Sequence, residues 1–414
     1  MKWRSMRLGS LLLIILLLLS LTGCGTKESE ADQEAEVYHR IGVAVYSTTD
    51  PELSLFYDYY RNYIAASFPV EFLLSDDLST AEDEVAFIEE MKAEGVEGII
   101  SFYGEDLESA LAACAENEMY YVLGSGSLSD EEYEAVKENP WFLGVIGPDT
   151  EEEYDAGAEM AETFVADGAT SFLIVTGGAG EAVNFMHYTR VCGMLDTLAE
   201  EMGLTYSESV EELAQVTALT EIETGRDDVS IVLSPGYIQM DEGMSNLEQA
   251  LTEGDYDALM SAVGLSEAME LLSADIRSTE QVLRVGVIDC FSEENREAVE
   301  TTDGNGNSLL NFVKGKYASM VAPAFVAMFN AVEGDVDVVK PDGVAFRLTQ
   351  SYWTAVGSEE YLELYSYTQS IYENAYSSVD LMQAIRSYSE DADYERFKEL
   401  TESCDLESVR ERLG

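Results

Sequence analysis

From Tyr38 onward the chain alternates short apolar runs with stretches in which apolar residues recur every three or four positions. The runs Ile41 to Tyr46, Val70 to Leu74, Gly98 to Ser101 and Tyr120 to Gly124 have the length of strands buried on both faces. Between them, Leu53, Phe56, Tyr60 and Ile64, then Val85, Ile88 and Met91, then Leu107, Ala110, Leu111 and Cys114 fall on single helical faces. Ser79-x-x-Glu82 reads as a capping box for the second of these helices. Trp141 to Gly147 closes the series, and Pro148-Asp149-Thr150 opens a helix whose Glu-rich first turn suits its positive dipole end. A second series follows, with Phe172 to Thr176, Ser230 to Ser234, Ala258 to Val263 and Val282 to Asp289 as strands and Val191, Met194, Leu195 and Leu198 lining a helix. Repeated β-α units predict parallel sheets covered on both faces. Two such series predict an α/β fold of two similar, open, doubly wound lobes. Leu381 with Ile385, and Phe397 with Leu400, continue helical faces without strands, which predicts a C-terminal helical extension over 360–414.

The first 37 residues follow another pattern. Lys2, Arg4 and Arg7 precede an apolar run from Leu11 to Leu19 that ends at Leu21-Thr22-Gly23-Cys24. A permanent transmembrane helix needs about 20 apolar residues, so the run reads as an export signal over 1–23, cut at small residues. The tetrapeptide resembles the bacterial lipobox, which implies cleavage before Cys24, a diacylglyceryl lipid on its sulfur and residence on the outer face of the bacterial cytoplasmic membrane. No other cofactor is expected. Residues 24–37 carry many acids and almost nothing apolar, which predicts a flexible tether.

The chain has 81 acidic residues against 22 basic ones, and loss of the leader makes the balance more negative still. Such a polyanion is no partner for nucleic acid, whose phosphates require clustered Lys and Arg. Membrane attachment is therefore assigned to the lipid rather than to a basic patch. Cys114, Cys192, Cys290 and Cys404 sit in apolar patterns without a Cys-x-x-Cys pair, and read as buried thiols rather than zinc ligands, with a disulfide among them as the alternative.

Five stretches in order, IGVAVYSTTDP, GVEGIIS, FLGVIGPDTEEEYDAGAEMAE, GVIDCFSEENREAV and GKYASMVAPAFVAMFNAVEGD, resemble the type I substrate-binding proteins of ABC transporters, the sugar-binding group related to ribose and galactose receptors and to LacI effector domains. The resemblance covers about Tyr38 to Trp353. It implies three lobe crossings, near Gly147, Pro323 and Phe346. The first lobe then comprises 38–147 plus 323–345, the second 148–322 plus 346–359. Gly315 to Asp335 is expected to be the helix returning to the first lobe.

Open parallel sheets bind ligands beyond the carboxyl ends of their strands. Asp289 ends an apolar strand, where a carboxylate needs a hydrogen-bonding partner such as a polyol or must cap the next helix. Arg190 stands where the resembling family often has a ligand-binding arginine; an ion pair is the alternative. Tyr46, Tyr103, Tyr237 and Trp353 lie near strand ends or crossings and offer faces for sugar C–H groups, against core packing as the plainer reading. Thr49, Asp50 and Ser125 follow the first and fourth strands, and Asn184 and His187 precede Arg190. Turn formation alone also accounts for these. Glu52-Leu53, Val263-Gly264 and Pro323 depart from the ribose-type pattern, which widens the expected ligand from a sugar to a modified sugar, a nucleoside or a less polar metabolite. Asp303-Gly304-Asn305-Gly306-Asn307 imitates a calcium loop but has Lys314 at the twelfth place. GGAG at Gly177 lacks the spacing of a phosphate cradle. No metal is expected.

The resemblance implies a monomeric receptor for a small molecule, partnered by an ABC permease and performing no catalysis. A ligand sensor without a permease, and a surface hydrolase using a carboxylate pair, are the competing classes. No Gly-x-Ser-x-Gly or HExxH motif supports the second.

Overall fold

Residues 38–278, 282–302, 306–369 and 375–413 are described by a computed structural model. The leader 1–23, Cys24, the tether 24–37 and Asp303-Gly304-Asn305 lie outside the described residues.

The first sheet contains β1 (His39–Ala44), β2 (Val70–Leu74), β3 (Gly98–Ser101), β4 (Tyr120–Gly124), β5 (Phe142–Gly147) and β12 (Phe346–Thr349), all parallel, in the order β12-β5-β4-β3-β1-β2. The second contains β6 (Ser171–Val175), β7 (Thr220–Glu221), β8 (Ser230–Ser234), β9 (Ala258–Ser261), β10 (Arg284–Cys290), β11 (Phe312–Lys316) and β13 (Trp353–Val356), in the order β13-β11-β10-β9-β6-β8-β7. Only its edge strands β13 and β7 run antiparallel to their neighbours. The central strands are buried on both faces, as their continuous apolar runs require. This is the expected pair of doubly wound lobes.

Local chemistry starts the helices. Asp50 caps Pro51–Tyr59 by accepting from Glu52 and Leu53 N–H, and Pro51 occupies the first turn where its missing donor costs nothing. A π-turn at Tyr60–Ile64 then carries Tyr59, Tyr60 and Tyr63 inward together. The helix Ala81–Ala93 is capped by a box of Thr80 with Asp83, one residue later than the Ser79–Glu82 spacing suggests. Among the described residues no helix is long and apolar enough to cross a membrane. Cys114, Cys192, Cys290 and Cys404 are free and buried.

The chain crosses between lobes after Gly147, at Tyr317–Val321 and at Gln350–Tyr352. The third crossing corrects the expectation of Phe346: Phe346–Thr349 pairs with β5 and belongs to the first sheet. Apolar alternation marks a strand but not which sheet recruits it. The returning helix is also shorter than expected, since Gly315 and Lys316 end β11 and the helix runs Ala322–Val332. Gln350 ties the crossings together, its N–H donating to Gly147 O at 3.0 Å and its amide NH₂ to Met320 O at 2.9 Å.

The extension does not form a separate cap. Its helix Ser358–Gln369 packs on β13 and on the helix Glu293–Glu300 of the second lobe, whereas Ser378–Gln383 and Tyr394–Glu402 pack on Ala322–Val332 of the first. Fully buried Asn330 on that helix donates to Ala384 O (2.9 Å) and accepts from Arg386 N–H (2.9 Å). Beneath the extension, Tyr317 and Trp353 stack with ring centroids 3.8 Å apart, and Trp353 Nε1 donates to Cys404 O at 2.9 Å.

Candidate functional site

A cleft of about 510 Å³ opens between the lobes, lined from the first by Tyr46, Ser47, Thr49, Asp50, Pro51 and Glu52. The second lobe supplies Asn184, Met186, His187, Arg190, Tyr237, Gln239, Val263, Gly264, Ser266, Glu267, Ile288, Asp289 and Lys316. These are residues at or just past the carboxyl ends of β1, β6, β8, β9, β10 and β11. A smaller cavity of about 340 Å³ lies between Pro51–Tyr59, Glu293, Tyr365 and Thr368. Helix faces rather than strand ends wall it, so the larger cleft is the one the sheet topology builds.

Asp289 accepts from Asn295 Nδ2 at 2.7 Å. Burial, joined by the charges of Glu52 and Asp50 opposite, pushes its carboxyl up to about 7. The Val263-Gly264 departure acquires a physical reason here: a Cβ on Gly264 would come within 2.7 Å of Asp289 Oδ2. Across the cleft, Asp50 has one carboxylate oxygen occupied by the helix N-terminus it caps.

Arg190 is set by a close helix crossing. Thr150–Ala166 and Phe185–Met202 meet at Gly157 and Gly193, where added Cβ atoms would lie 1.9 Å from Arg190 O and 2.1 Å from Tyr154 O. That approach brings buried Glu153 to Arg190, whose Nε donates to Glu153 Oε2 at 2.6 Å. Its other nitrogens donate to Ala262 O (2.8 Å) and Tyr352 Oη (2.9 Å), and Tyr352 donates on to Glu153 Oε1 (2.8 Å). Arg190 therefore borders the cleft as the cation of a built-in ion pair, the alternative that the sequence left open.

His187 lies nearby, with Nδ1 2.8 Å from Gly177 O. Burial, with Arg190 adding, pushes it down to about 4. The ring is neutral at pH 7, so Nδ1 donates to the carbonyl and Nε2 is left as an acceptor. Tyr237 meets His187 edge-on, centroids 5.7 Å apart. Asn184 caps its helix by accepting from Met186 N–H.

Eight of the eleven expected residues thus line one cleft: Tyr46, Thr49, Asp50, Asn184, His187, Arg190, Tyr237 and Asp289. Ser125 borders it through its carbonyl, 3.4 Å from Lys316 Nζ, on a backbone with φ of 57°. Two expectations are corrected. Trp353 is fully buried, stacked on Tyr317 under the extension. Tyr103 is not among the residues lining the cleft and donates to Glu105.

Lys316 and Glu52 were not foreseen as a pair. Lys316, only 5 % exposed at the end of β11, donates to Glu52 Oε1 across the cleft at 2.8 Å. The rule that selected Asp289 selects Lys316 too, but Phe312–Lys316 reads FVKGK and hides as a strand. Its two lysines are buried because carboxylates meet both, Lys314 at Glu159 (2.7 Å) and Lys316 at Glu52. Among the described residues no cluster of His, Cys, Asp or Glu is arranged to hold a metal ion.

No family model and no curated protein sequence matches this chain. Solved structures do. A galactofuranose binding protein superposes with a TM-score of 0.54 at 11% identity, covering 80% of this chain and 98% of its own. An ABC transporter periplasmic solute binding protein from Actinobacillus succinogenes, with bound D-allose, gives 0.54 at 14% over 78% and 99%. An ABC transporter solute binding protein from Bacillus halodurans, with bound myo-inositol, gives 0.51 at 15% over 80% and 99%. With its two parallel-dominant sheets, its three crossings and these superpositions, the chain has the type I periplasmic binding protein fold.

Proposed function

We propose that this protein is a lipid-anchored extracytoplasmic receptor that closes its lobes on a sugar or sugar-like metabolite and presents it to an ABC importer, without catalysing a reaction. One observation carries the reading: Asp50 and Asp289 converge from opposite lobes on one cleft, with Tyr46, Tyr237 and neutral His187 around them. Carboxylates accept strongly from hydroxyl groups, and ring faces cover the C–H faces of a sugar. Ligand held by both lobes stabilises their closed arrangement, and hinge closure is the form a membrane partner recognises. The galactofuranose, D-allose and myo-inositol named for the structural neighbours fit a cleft of this chemistry. The lipobox-like Leu21-Thr22-Gly23-Cys24 supports the anchor.

A thermal-shift screen against sugars, polyols and nucleosides tests the reading. A ligand at 100 times its dissociation constant adds about 2.7 kcal/mol. The expected result is stabilisation by at least one sugar or polyol that is lost in Asp289→Ala. Stabilisation by none of them, or stabilisation unchanged in that variant, contradicts the reading. Labelling of Cys24 by a fatty-acid analogue in a bacterial host, absent in Cys24→Ser, tests the anchor.

A further inference from the structure

The two cations of the cleft are each cancelled before any ligand arrives. Arg190 is held by Glu153 at 2.6 Å and Lys316 by Glu52 at 2.8 Å, with Arg190, Glu153 and Lys316 buried and Glu52 partly exposed. The remaining acids on the lining are Asp50, Glu267 and Asp289, and among the described residues none of them is in an ion pair. The ring of His187 adds no positive charge at neutral pH.

A carboxylate or phosphate on the ligand would have to sit among these acids with no free cation to receive it. Uncompensated charge in a desolvated site is costly. Of the two pairs, Glu153 with Arg190 lies behind the wall, bonded also to Tyr352, and only Arg190 of the two lines the cleft. Glu52 and Lys316 both line it, and they face each other from opposite lobes.

Resting on the receptor reading above, we propose that Glu52 is a specificity-determining residue: by neutralising Lys316 it restricts the cleft to ligands without negative charge, excluding sugar acids and sugar phosphates. Replacing Glu52 by an isosteric amide leaves Lys316 as an uncancelled cation on the lining and opens the cleft to anions. The effect is local. Repulsion from the acidic surface is screened over about 8 Å at physiological ionic strength, whereas a buried pair is screened much less, so the selectivity should persist in added salt.

Calorimetric titration of the full chain at 0.15 and 0.5 M NaCl tests this. The probes are D-glucose, D-galactose, D-allose and myo-inositol as neutral ligands, and D-glucuronate, D-galacturonate and glucose 6-phosphate as anions. Wild type is expected to bind at least one neutral probe and to bind the anions at least 100-fold more weakly at both salt concentrations. Glu52→Gln should gain at least tenfold for an anionic probe relative to wild type. Lys316→Met, which leaves the acid unpaired instead, should gain nothing for anions. Anion binding by wild type as tight as neutral binding overturns the proposal, as does a folded Glu52→Gln that gains nothing. Should Glu52→Gln not fold, anion binding that improves in Lys316→Met overturns it too. Binding of neither series by wild type overturns the receptor reading itself, and this proposal with it, and is thereby distinct from a failure of selectivity alone.

Discussion

Lys316 and Tyr317 are consecutive, yet they face two different worlds. Lys316 ends β11 pointing into the cleft, where its partners are a carboxylate and a carbonyl of the opposite lobe. Tyr317 turns the other way, stacks on Trp353 and lies beneath the C-terminal extension. One side of the hinge is acidic and partly open; the other is aromatic and closed. Polar groups paired across a gap give selectivity but little net stability, because desolvation offsets much of their attraction. Stacked, fully buried rings give stability without chemical discrimination. The extension side should therefore govern folding and the cleft side binding.

The largest test of that division is Trp353→Ala. It opens a cavity under the extension and leaves the carbonyl of Cys404 with only the longer bond from Tyr317 Oη, which should cost about 3–5 kcal/mol, read as a lower urea midpoint. A loss below 1 kcal/mol would mean the extension contributes little to the hinge.

Next in size is Asp289→Ala on the cleft side. Above pH 7, where Asp289 is ionised, loss of a charged hydrogen-bond acceptor is worth about 1.5–3 kcal/mol, so affinity for the ligand found by screening should fall about 10- to 100-fold. A variant that binds normally but unfolds early would reverse the two roles.

Asp289→Asn sharpens the same point through pH. The carboxyl of Asp289 sits at about 7 in the folded chain, above its ordinary 3.8, so the native state holds a proton that the unfolded state releases. Stability contributed by that proton is present at pH 4 and lost as pH rises through 7. Asparagine cannot ionise and escapes the loss. The variant should match wild type near pH 4 and exceed it at pH 8; parity at both pH values would show that Asp289 is not desolvated. The smallest effect is expected of Tyr63→Phe, which removes the phenol that accepts from Ser378 N–H at the start of an extension helix. It should cost about 1 kcal/mol, seen as faster amide exchange around Ser378.

The alternation of strands and helices and the lobe pair were legible because buried strands and amphipathic helices write themselves locally in the chain. Asp289 was picked out for a related reason, since topology places strand ends at the mouth of a sheet, whereas Arg190 was picked out by the resemblance. What failed was non-local. Nothing in FRLT says which sheet it joins, so the third crossing was misplaced by a few residues. Glu52 stood out only as a departure from a pattern, since its meaning depends on Lys316, 264 residues away. Arg190 showed its position but not its occupation by Glu153, which depends on two glycines letting helices meet.

The most direct test is a crystal structure of the chain with the ligand that stabilises it most. The predicted result is ligand density between the carboxyl ends of β1 and β10, with hydroxyl groups bonded to Asp50 and Asp289. Density in the cavity beside Tyr59 and Tyr365, or on an outer face of either lobe with the cleft unfilled, would contradict the account.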